Sequence, residues 1–145
     1  MANIKACMSS KKMDWETPQD FFDELDKEFN FVLDVCADGE NKKCQNYFSK
    51  KNDALKQDWN LISKLIGNGW KWMNPPYGRE IGSWVKKASE ERKVVALLPA
   101  RTDTKYFHEF IYKKKNTKIR FIKGRLKFSG SKSSAPFPSM IVIFN

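Results

Sequence analysis

Apolar residues recur with a helical spacing in two stretches of the chain, residues 21–29 and residues 81–88. In each stretch the apolar positions are three or four residues apart, which places them on one face of a helix that packs against a sheet. Thr17 and Pro18 stand just before the first stretch, in the order expected of a helix N-cap followed by proline at the first helical position. A third helix is predicted over residues 103–115, with its aromatic residues turned inward.

Short apolar-rich runs without helical spacing alternate with these helices. Runs of this kind are typical of strands that are buried in a sheet. They occupy residues 31–36, 70–73, 94–98, 119–122 and 140–144, and residues 46–49 are a further short candidate. Helices separate the strands until the last two, which follow one another without a helix. The pattern therefore predicts an α/β domain with a mostly parallel sheet.

The length and charge of the chain limit the functions it can have. A chain of 145 residues is the size of one domain, which we expect to span residues 14–145, with a flexible basic arm at residues 1–13. The net charge of +10 and the pI near 9.5 favour a polyanionic partner, for which nucleic acid is the leading candidate. No apolar run is long enough to span a bilayer and no signal peptide follows Met1, so we expect a soluble protein that is not exported.

The cysteine and histidine content argues against several kinds of catalytic site. Cys7, Cys36 and Cys44 are odd in number and form no close pair, which disfavours a disulfide framework and a zinc site and fits a reducing cytoplasm. His108 is the single histidine, so neither a histidine metal cluster nor a Ser-His-Asp triad can readily be assembled. We therefore expect no metal and no covalent hydrolase chemistry.

The most informative stretch is Asn74-Pro75-Pro76-Tyr77, which directly follows the strand candidate at residues 70–73. Two consecutive prolines cannot continue a strand ladder, so the chain leaves the sheet here in a rigid extended loop. The Asn74 side-chain oxygen and the Pro75 carbonyl remain as acceptors beside the Tyr77 ring. An adenine or cytosine amine is a poor nucleophile until such acceptors draw on its hydrogens. The motif predicts transfer to a conjugated amine, and a Pro-Pro turn with an exposed tyrosine is the structural alternative.

Landmarks along most of the chain point to one family. They are Trp15-Glu16-Thr17-Pro18, Leu33 to Ala37, Asn41 to Tyr47, Asp58-Trp59, Asn74 to Tyr77, Leu97 to Thr104, Gly124 to Phe128 and Ala135 to Ser139. With these landmarks in order, the sequence resembles the phage-type DNA N6-adenine methyltransferases, a small Dam-like family within the class I methyltransferases that use S-adenosylmethionine. The resemblance implies a Rossmann-like class I fold with the last strand inserted antiparallel. It also implies methyl transfer from S-adenosylmethionine to N6 of adenine in double-stranded DNA, and a phage or prophage origin.

The resemblance further implies which residues contact the cofactor. Asp34 lies near the carboxyl end of a predicted strand, where ligands bind in open α/β sheets. Ala37 follows it, where many class I enzymes carry a Gly-x-Gly loop that this chain lacks. Asp53 is expected to accept from ribose hydroxyls, with an ordinary charged loop as the alternative, and Asp58 with Trp59 to hold the cofactor adenine. The cofactor-binding candidates are Trp15, Thr17, Pro18, Asp34, Ala37, Asp53, Asp58, Trp59 and Asn74.

A DNA-binding face is implied in the same way. A base inside a duplex cannot reach such a pocket, so the target adenine is expected to be flipped out and stacked on Tyr77. Residues 124–138, between the last two strands, are the best place for reading the DNA sequence, and a solvated hairpin loop is the alternative for this segment. The DNA-binding candidates are Arg79, Arg125, Lys127, Lys132 and Phe137.

Other functions remain open from the sequence. An N4-cytosine DNA methyltransferase or a protein-glutamine methyltransferase can use the same clamp, although the basic charge favours DNA. A catalytically silent nucleic-acid-binding module would explain the charge equally well, but it gives no reason for the Asn74 motif beside Asp34 and Asp58.

Overall fold

The computed structural model describes residues 14–145 and contains a five-stranded sheet. The strands are β1 (Phe31–Asp34), β2 (Trp70–Met73), β3 (Val94–Pro99), β4 (Thr117–Phe121) and β5 (Ser139–Phe144). Their order across the sheet is β1-β2-β3-β5-β4. Strands β1, β2 and β3 pair in parallel, and β5 pairs antiparallel with both β3 and β4. The predicted α/β class is confirmed, and the last strand is inserted antiparallel as expected.

Burial differs between the centre of this sheet and its β4 edge. Every residue of β3 and of β5 is buried, which fits their continuous apolar sequences and their neighbours on both sides. In β4, half-buried residues are interspersed with exposed ones, which include Lys118 and Arg120. Charged side chains on an exposed edge hinder pairing with a further strand.

Within residues 14–145, three α-helices flank the sheet. They are α1 (Gln19–Phe29), α2 (Trp59–Leu65) and α3 (Ile81–Glu91). The two helical stretches read from the sequence fall in α1 and α3, and their buried residues include Phe22 and Trp84. Helix α1 begins after Pro18, which occupies the N-cap position without a side-chain cap, so the predicted cap by Thr17 is wrong. The Thr17 hydroxyl instead accepts a hydrogen bond from Asn74.

The predicted third helix, at residues 103–115, is much shorter in the structure. A π-helical turn covers Phe107–Ile111, and the Tyr112 N–H donates to the Phe107 carbonyl at 2.7 Å. Lys113 then adopts a left-handed φ of 57°, which no regular helix accommodates, so the chain turns there toward β4.

Residues 46–49 form a single bridge and not a strand. Tyr47 bridges in parallel to Asp34, and the Phe48 N–H donates to the Asp34 carbonyl at 2.9 Å. The Ala37 N–H donates in turn to the Phe48 carbonyl at 2.9 Å. This stretch therefore extends the sheet only at the carboxyl end of β1.

Residues 124–138 are more buried than their polar composition suggests. Phe128, Ala135 and Phe137 are buried, and the Ser129 N–H donates to the Glu16 carbonyl at 2.9 Å. These contacts exclude a fully solvated loop, because apolar side chains anchor the segment to the domain.

The predicted basic arm, residues 1–13, lies outside the described residues. Within residues 14–145, no helix is long and apolar enough to cross a membrane. The same residues contain no cluster of His, Cys, Asp and Glu side chains that could hold a metal ion.

Candidate active site

A cavity of about 960 Å³ opens at the carboxyl ends of β1 and β2. Most of its wall comes from four stretches of chain, within residues 14–17, 34–43, 47–55 and 74–76. Its volume lies in the usual range of ligand pockets, roughly 300–1,000 Å³. The cavity can therefore hold a ligand the size of a nucleoside joined to an amino acid.

The wall of this cavity is acidic although the chain as a whole is basic. Six carboxylates and three lysines line it, whereas the net charge of the chain is +10. They are Asp14, Glu16, Asp34, Asp38, Asp53 and Glu80, with Lys43, Lys50 and Lys51. Such a distribution attracts a cationic ligand into the cavity and a polyanion to the exterior.

Asp34 is the last residue of β1 and is only 2% exposed. Its two carboxylate oxygens accept from the backbone N–H groups of Cys36, at 3.1 Å, and Lys43, at 3.0 Å. Burial raises the pKa of the Asp34 carboxyl to about 7, and these two hydrogen bonds oppose the rise. The group therefore anchors the loop that follows β1, and its charge responds to pH near neutrality. A cation bound beside it would favour the ionised form.

Hydrogen bonds between side chains and backbone shape the loop after β1, where a glycine-rich turn is missing. The Asp38 carboxylate accepts from the backbone N–H groups of Glu40 and Asn41, each at 2.8 Å. The Asn41 side-chain oxygen accepts from the Asp38 N–H at 2.8 Å. Ala37 lines the cavity on backbone that is tied to Phe48. The hydrogen bonds of the loop therefore define its shape.

Asn74 directly follows β2, and its side-chain amide is held in one orientation. The amide nitrogen donates to the Trp15 carbonyl and, at 3.0 Å, to the Thr17 hydroxyl. A backbone carbonyl can only accept, so the nitrogen must face Trp15 and the oxygen must face away. Within residues 14–145, Asn74 Oδ1 is buried and has no hydrogen-bond partner. An unpaired buried acceptor costs about 1–3 kcal/mol, and a ligand N–H would recover that energy.

The prolines of the motif line the cavity, but Tyr77 does not. The Tyr77 ring is 6% exposed, and its hydroxyl donates to the Leu97 carbonyl at 2.9 Å. Burial holds the pKa of Tyr77 well above its usual value. The ring centre lies 5.7 Å from that of Phe137 and 6.4 Å from that of Phe128, both edge-on. Stacking of a base on Tyr77 stays a prediction, and it requires these two rings to move.

Trp15 joins the beginning of the domain to residues 124–138. Its ring lies edge-on to Phe137, with centres 5.1 Å apart, and to Phe128, with centres 5.3 Å apart. Its carbonyl holds Asn74, as described above, and the residue also lines the cavity. The DNA-binding candidate Phe137 is thus a buried neighbour of Trp15 and not an exposed surface.

The structure brings most of the cofactor-binding candidates together. Trp15, Thr17, Asp34, Ala37, Asp53 and Asn74 line the cavity, whereas Pro18, Asp58 and Trp59 do not.

Asp58 and Trp59 have structural partners instead. Asp58 is the N-cap of α2 and accepts from the Leu61 N–H at 3.0 Å. Trp59 is fully buried, and its indole N–H donates to the Ala54 carbonyl at 2.8 Å. Their contacts with a cofactor remain predictions.

Four of the DNA-binding candidates are exposed side chains. Arg79 lies in the loop between β2 and α3, and Arg125, Lys127 and Lys132 lie between β4 and β5. Both loops follow strands that run in the same direction as β3, so they leave the sheet at the edge where the cavity opens.

A comparison with protein families identifies the chain. The family model of DNA N-6-adenine-methyltransferase (Dam) matches residues 5–145. The chain belongs to the DNA N-6-adenine-methyltransferase family.

Two phage members of this family illustrate the extent of the similarity. The chain is 34% identical to the DNA N-6-adenine-methyltransferase of Escherichia phage T1 over an alignment of 100 residues, which covers 66% of this chain and 39% of that enzyme. It is 28% identical to the DNA N-6-adenine-methyltransferase of Haemophilus phage HP1 over an alignment of 151 residues, which covers 94% of this chain and 82% of that enzyme. The matched region thus covers most of the phage HP1 enzyme but less than half of the phage T1 enzyme.

Trp84 is a cavity residue that the sequence did not reveal. Its place on the apolar face of the helix predicted only a core position. Trp84 is 8% exposed and packs 6.2 Å from the Trp59 ring, but it also lines the cavity. Its indole N–H is buried without a partner among residues 14–145, unlike that of Trp59. The available signal was its place in the first turn of α3, because the helix after the Asn74 motif starts at the carboxyl edge of the sheet.

Proposed function

We propose that this chain transfers a methyl group from S-adenosylmethionine to N6 of a flipped-out adenine in double-stranded DNA. The observation that carries the proposal is the Asn74 side chain, whose nitrogen is held twice while its oxygen is buried and unpaired beside the cavity. Family membership supports the activity, and the proposal assigns its parts to particular residues.

Asn74 has the chemistry needed to activate an amine. When Oδ1 accepts an N–H of the target amine, it draws the nitrogen lone pair out of conjugation with the ring and directs it toward the methyl group. The Asn74 amide does not titrate near neutral pH, so it works by orientation and electrostatics, and the proton that the methylated nitrogen loses passes to solvent. The fixed partners Trp15 and Thr17 keep the oxygen oriented before the base arrives, which lowers the reorganisation cost.

The cavity fits S-adenosylmethionine in size and charge. The cofactor carries a sulfonium and an ammonium group against one carboxylate, so an acidic wall in a basic protein matches its net positive charge. When bound, it supplies an electrophilic methyl group. We assign Asp34 and Ala37, at the carboxyl end of β1, to contact with the cofactor. We assign Asp53 to its ribose hydroxyls. Lys43, Lys50 and Lys51 are available to its carboxylate.

A class I methyltransferase arrangement is also part of the proposal. The antiparallel last strand between β3 and β4 supports it, as does a cavity at the carboxyl ends of parallel strands.

Entry of the target base requires a local movement. Asn74 Oδ1 is shielded from solvent in this structure, so a neighbouring group must shift before an amine can reach it. Residues 124–138 are the segment to move, because Phe128 and Phe137 pack on Trp15 and on Tyr77. Their displacement would also free the Tyr77 ring for stacking on the base.

The direct test of the activity is the identity of the methylated product. Duplex DNA is incubated with the protein and radiolabelled S-adenosylmethionine, digested to nucleosides and separated by chromatography. Label in N6-methyladenine is the expected result. Label only in N4-methylcytosine, or only in protein, would contradict the proposal in favour of the corresponding alternative.

A further inference from the structure

The five arginines within residues 14–145 fall into two groups. Arg92 and Arg120 are engaged by the protein: the Arg92 guanidinium donates to backbone carbonyls, among them that of Asn116 at 2.7 Å, and Arg120 forms a two-pronged ion pair with Glu28. The other three make no side-chain hydrogen bond or ion pair within the described residues; they are Arg79, Arg101 and Arg125. The second group retains its hydrogen-bond donors for a ligand.

Arg101 differs from the other two free arginines because its guanidinium has a fixed neighbour. Its central carbon lies 5.8 Å from the centre of the Phe137 ring. The Phe137 ring packs in turn against Tyr77 and against Trp15, whose carbonyl holds Asn74. A guanidinium over an aromatic face is weakly held and keeps its in-plane N–H donors available.

The backbone around Arg101 is also fixed. The Ala100 N–H donates to the Pro138 carbonyl at 2.9 Å, and the Arg101 carbonyl accepts from the Thr104 hydroxyl at 2.8 Å. Thus the short turn after β3 is tied to the end of residues 124–138. Arg101 therefore lies on a short turn at the carboxyl edge of the sheet and not on a long loop.

Sheet topology places this turn at the same edge as Asn74. Strands β2 and β3 are parallel neighbours, with Met73 paired to Ala96. Asn74 follows Met73, and Arg101 follows the end of β3, so both leave the sheet at its carboxyl edge. A DNA strand that delivers a base to Asn74 must pass over this edge of the sheet.

We propose that Arg101 binds a backbone phosphate of the DNA strand that carries the target adenine. The proposal rests on the proposed function. The guanidinium fork matches two phosphate oxygens, and its donors are free because no side chain of the described residues pairs with them. A phosphate contact is favoured over a base contact because base reading requires an element that enters a groove. The short turn after β3 instead holds the Arg101 side chain at the edge of the sheet.

Duplex binding at several salt concentrations tests the proposal, with S-adenosylhomocysteine present to prevent turnover. We expect Arg101→Ala to weaken binding roughly tenfold at low salt and to lower the slope of log affinity against log salt by about one. Lys118→Ala is the matched control, because Lys118 is an exposed cation on the β4 edge without a side-chain partner in the described chain. This control should leave the salt slope nearly unchanged.

Arg101→Lys separates charge from geometry. A lysine keeps the positive charge but not the fork, so we expect the wild-type salt slope with an affinity between those of the wild type and Arg101→Ala. The methylated sites, mapped by sequencing, should be the same in all variants, because a phosphate contact carries no base information.

Three results would overturn the proposal: wild-type DNA affinity and slope in Arg101→Ala, a changed choice of methylated site, or loss of S-adenosylhomocysteine binding. The second result would indicate base reading, and the third a contact with the cofactor. Failure of the proposed function gives a different pattern, in which the wild-type protein binds duplex DNA but transfers no methyl group while the salt slopes of the variants behave as predicted.

Discussion

The two ends of β2 differ in how their buried polar groups are paired. Near its beginning, the Lys71 ammonium is buried and donates to the Asn60 side-chain oxygen at 2.7 Å. The Asn60 nitrogen donates to the Glu91 carbonyl at 2.6 Å, and Glu91 forms an ion pair with Lys87 at 3.0 Å. Just past the end of β2, the Asn74 nitrogen is bonded but its oxygen is not. The Asn60 amide therefore has a hydrogen-bond partner for its oxygen and for its nitrogen. Within residues 14–145, the Asn74 amide has partners for its nitrogen only.

Under the proposed function, this difference separates a stabilising hydrogen-bond network at Asn60 from an acceptor at Asn74 that serves a ligand. At Asn60 the polar groups pair with one another, so the fold already gains their hydrogen bonds. At Asn74 the unpaired oxygen leaves the free protein less stable than it could be, and the cost is recovered only when a donor binds. A substitution at Asn60 should therefore act on stability, and one at Asn74 on turnover.

The largest expected effect on stability is that of Asn60→Ala. The change removes the partner of the buried Lys71 ammonium, and we expect a loss of about 2–3 kcal/mol in the free energy of unfolding. Urea denaturation monitored by circular dichroism provides the measurement. Asn46→Ala, at an exposed position outside the cavity, is the control and should change the unfolding free energy by less than about 0.5 kcal/mol. A similarly small change in Asn60→Ala would show that the Lys71 network is not stabilising.

A smaller effect is expected of pH on the affinity of the cavity for S-adenosylmethionine. Burial raises the pKa of Asp34 to about 7, so its carboxyl is mostly protonated at pH 6 and mostly ionised at pH 8. The ionised form suits a cationic cofactor, and binding of S-adenosylmethionine should tighten roughly tenfold from pH 6 to pH 8 as this group loses its proton.

Isothermal titration calorimetry in buffers of different ionisation enthalpy would measure both the affinity and the proton released. Asp34→Asn provides the comparison, because it cannot ionise and should remove this part of the pH dependence. If the wild-type protein binds equally well at both pH values without proton release, Asp34 does not face the cofactor.

The smallest effect concerns Asp58, for which two roles remain. As the N-cap of α2 it should contribute about 1 kcal/mol of stability, which Asp58→Ala loses and Asp58→Asn largely keeps, because asparagine is also a good cap. If Asp58 also holds the cofactor adenine, Asp58→Ala should weaken S-adenosylhomocysteine binding as well. Parallel measurement of unfolding and of ligand affinity separates the roles, since a cap alone leaves the affinity unchanged.

Local sequence patterns predicted the main strands and the exit of the chain after β2 well, because both depend on neighbouring residues. Continuous apolar runs mark β3 and β5, and two prolines after β2 fix the exit of the chain from the sheet. The helix at residues 103–115 was overestimated. Aromatic periodicity does not reveal where a chain turns back, which here is at Lys113.

Contacts between distant parts of the chain were harder to foresee. The Thr17 hydroxyl was predicted to cap a helix, whereas in the structure it holds Asn74, which is 57 residues away in the sequence. Residues 124–138 look solvated in a polar sequence, but Phe128 and Phe137 find partners in Trp15 and Tyr77. Sequence spacing carries no information about which aromatic residues will meet in this way.

The central claim is that Asn74 Oδ1 is kept unpaired for the target amine. Its most direct test is the single-turnover rate of methyl transfer to duplex DNA by Asn74→Ala, measured together with its unfolding free energy and its affinity for S-adenosylhomocysteine. Loss of one positioned acceptor should lower the rate by roughly 10²–10³-fold, with cofactor affinity close to wild type and a loss of stability smaller than that of Asn60→Ala. A rate within a few-fold of wild type, or a loss of stability as large as that expected for Asn60→Ala, would contradict the account.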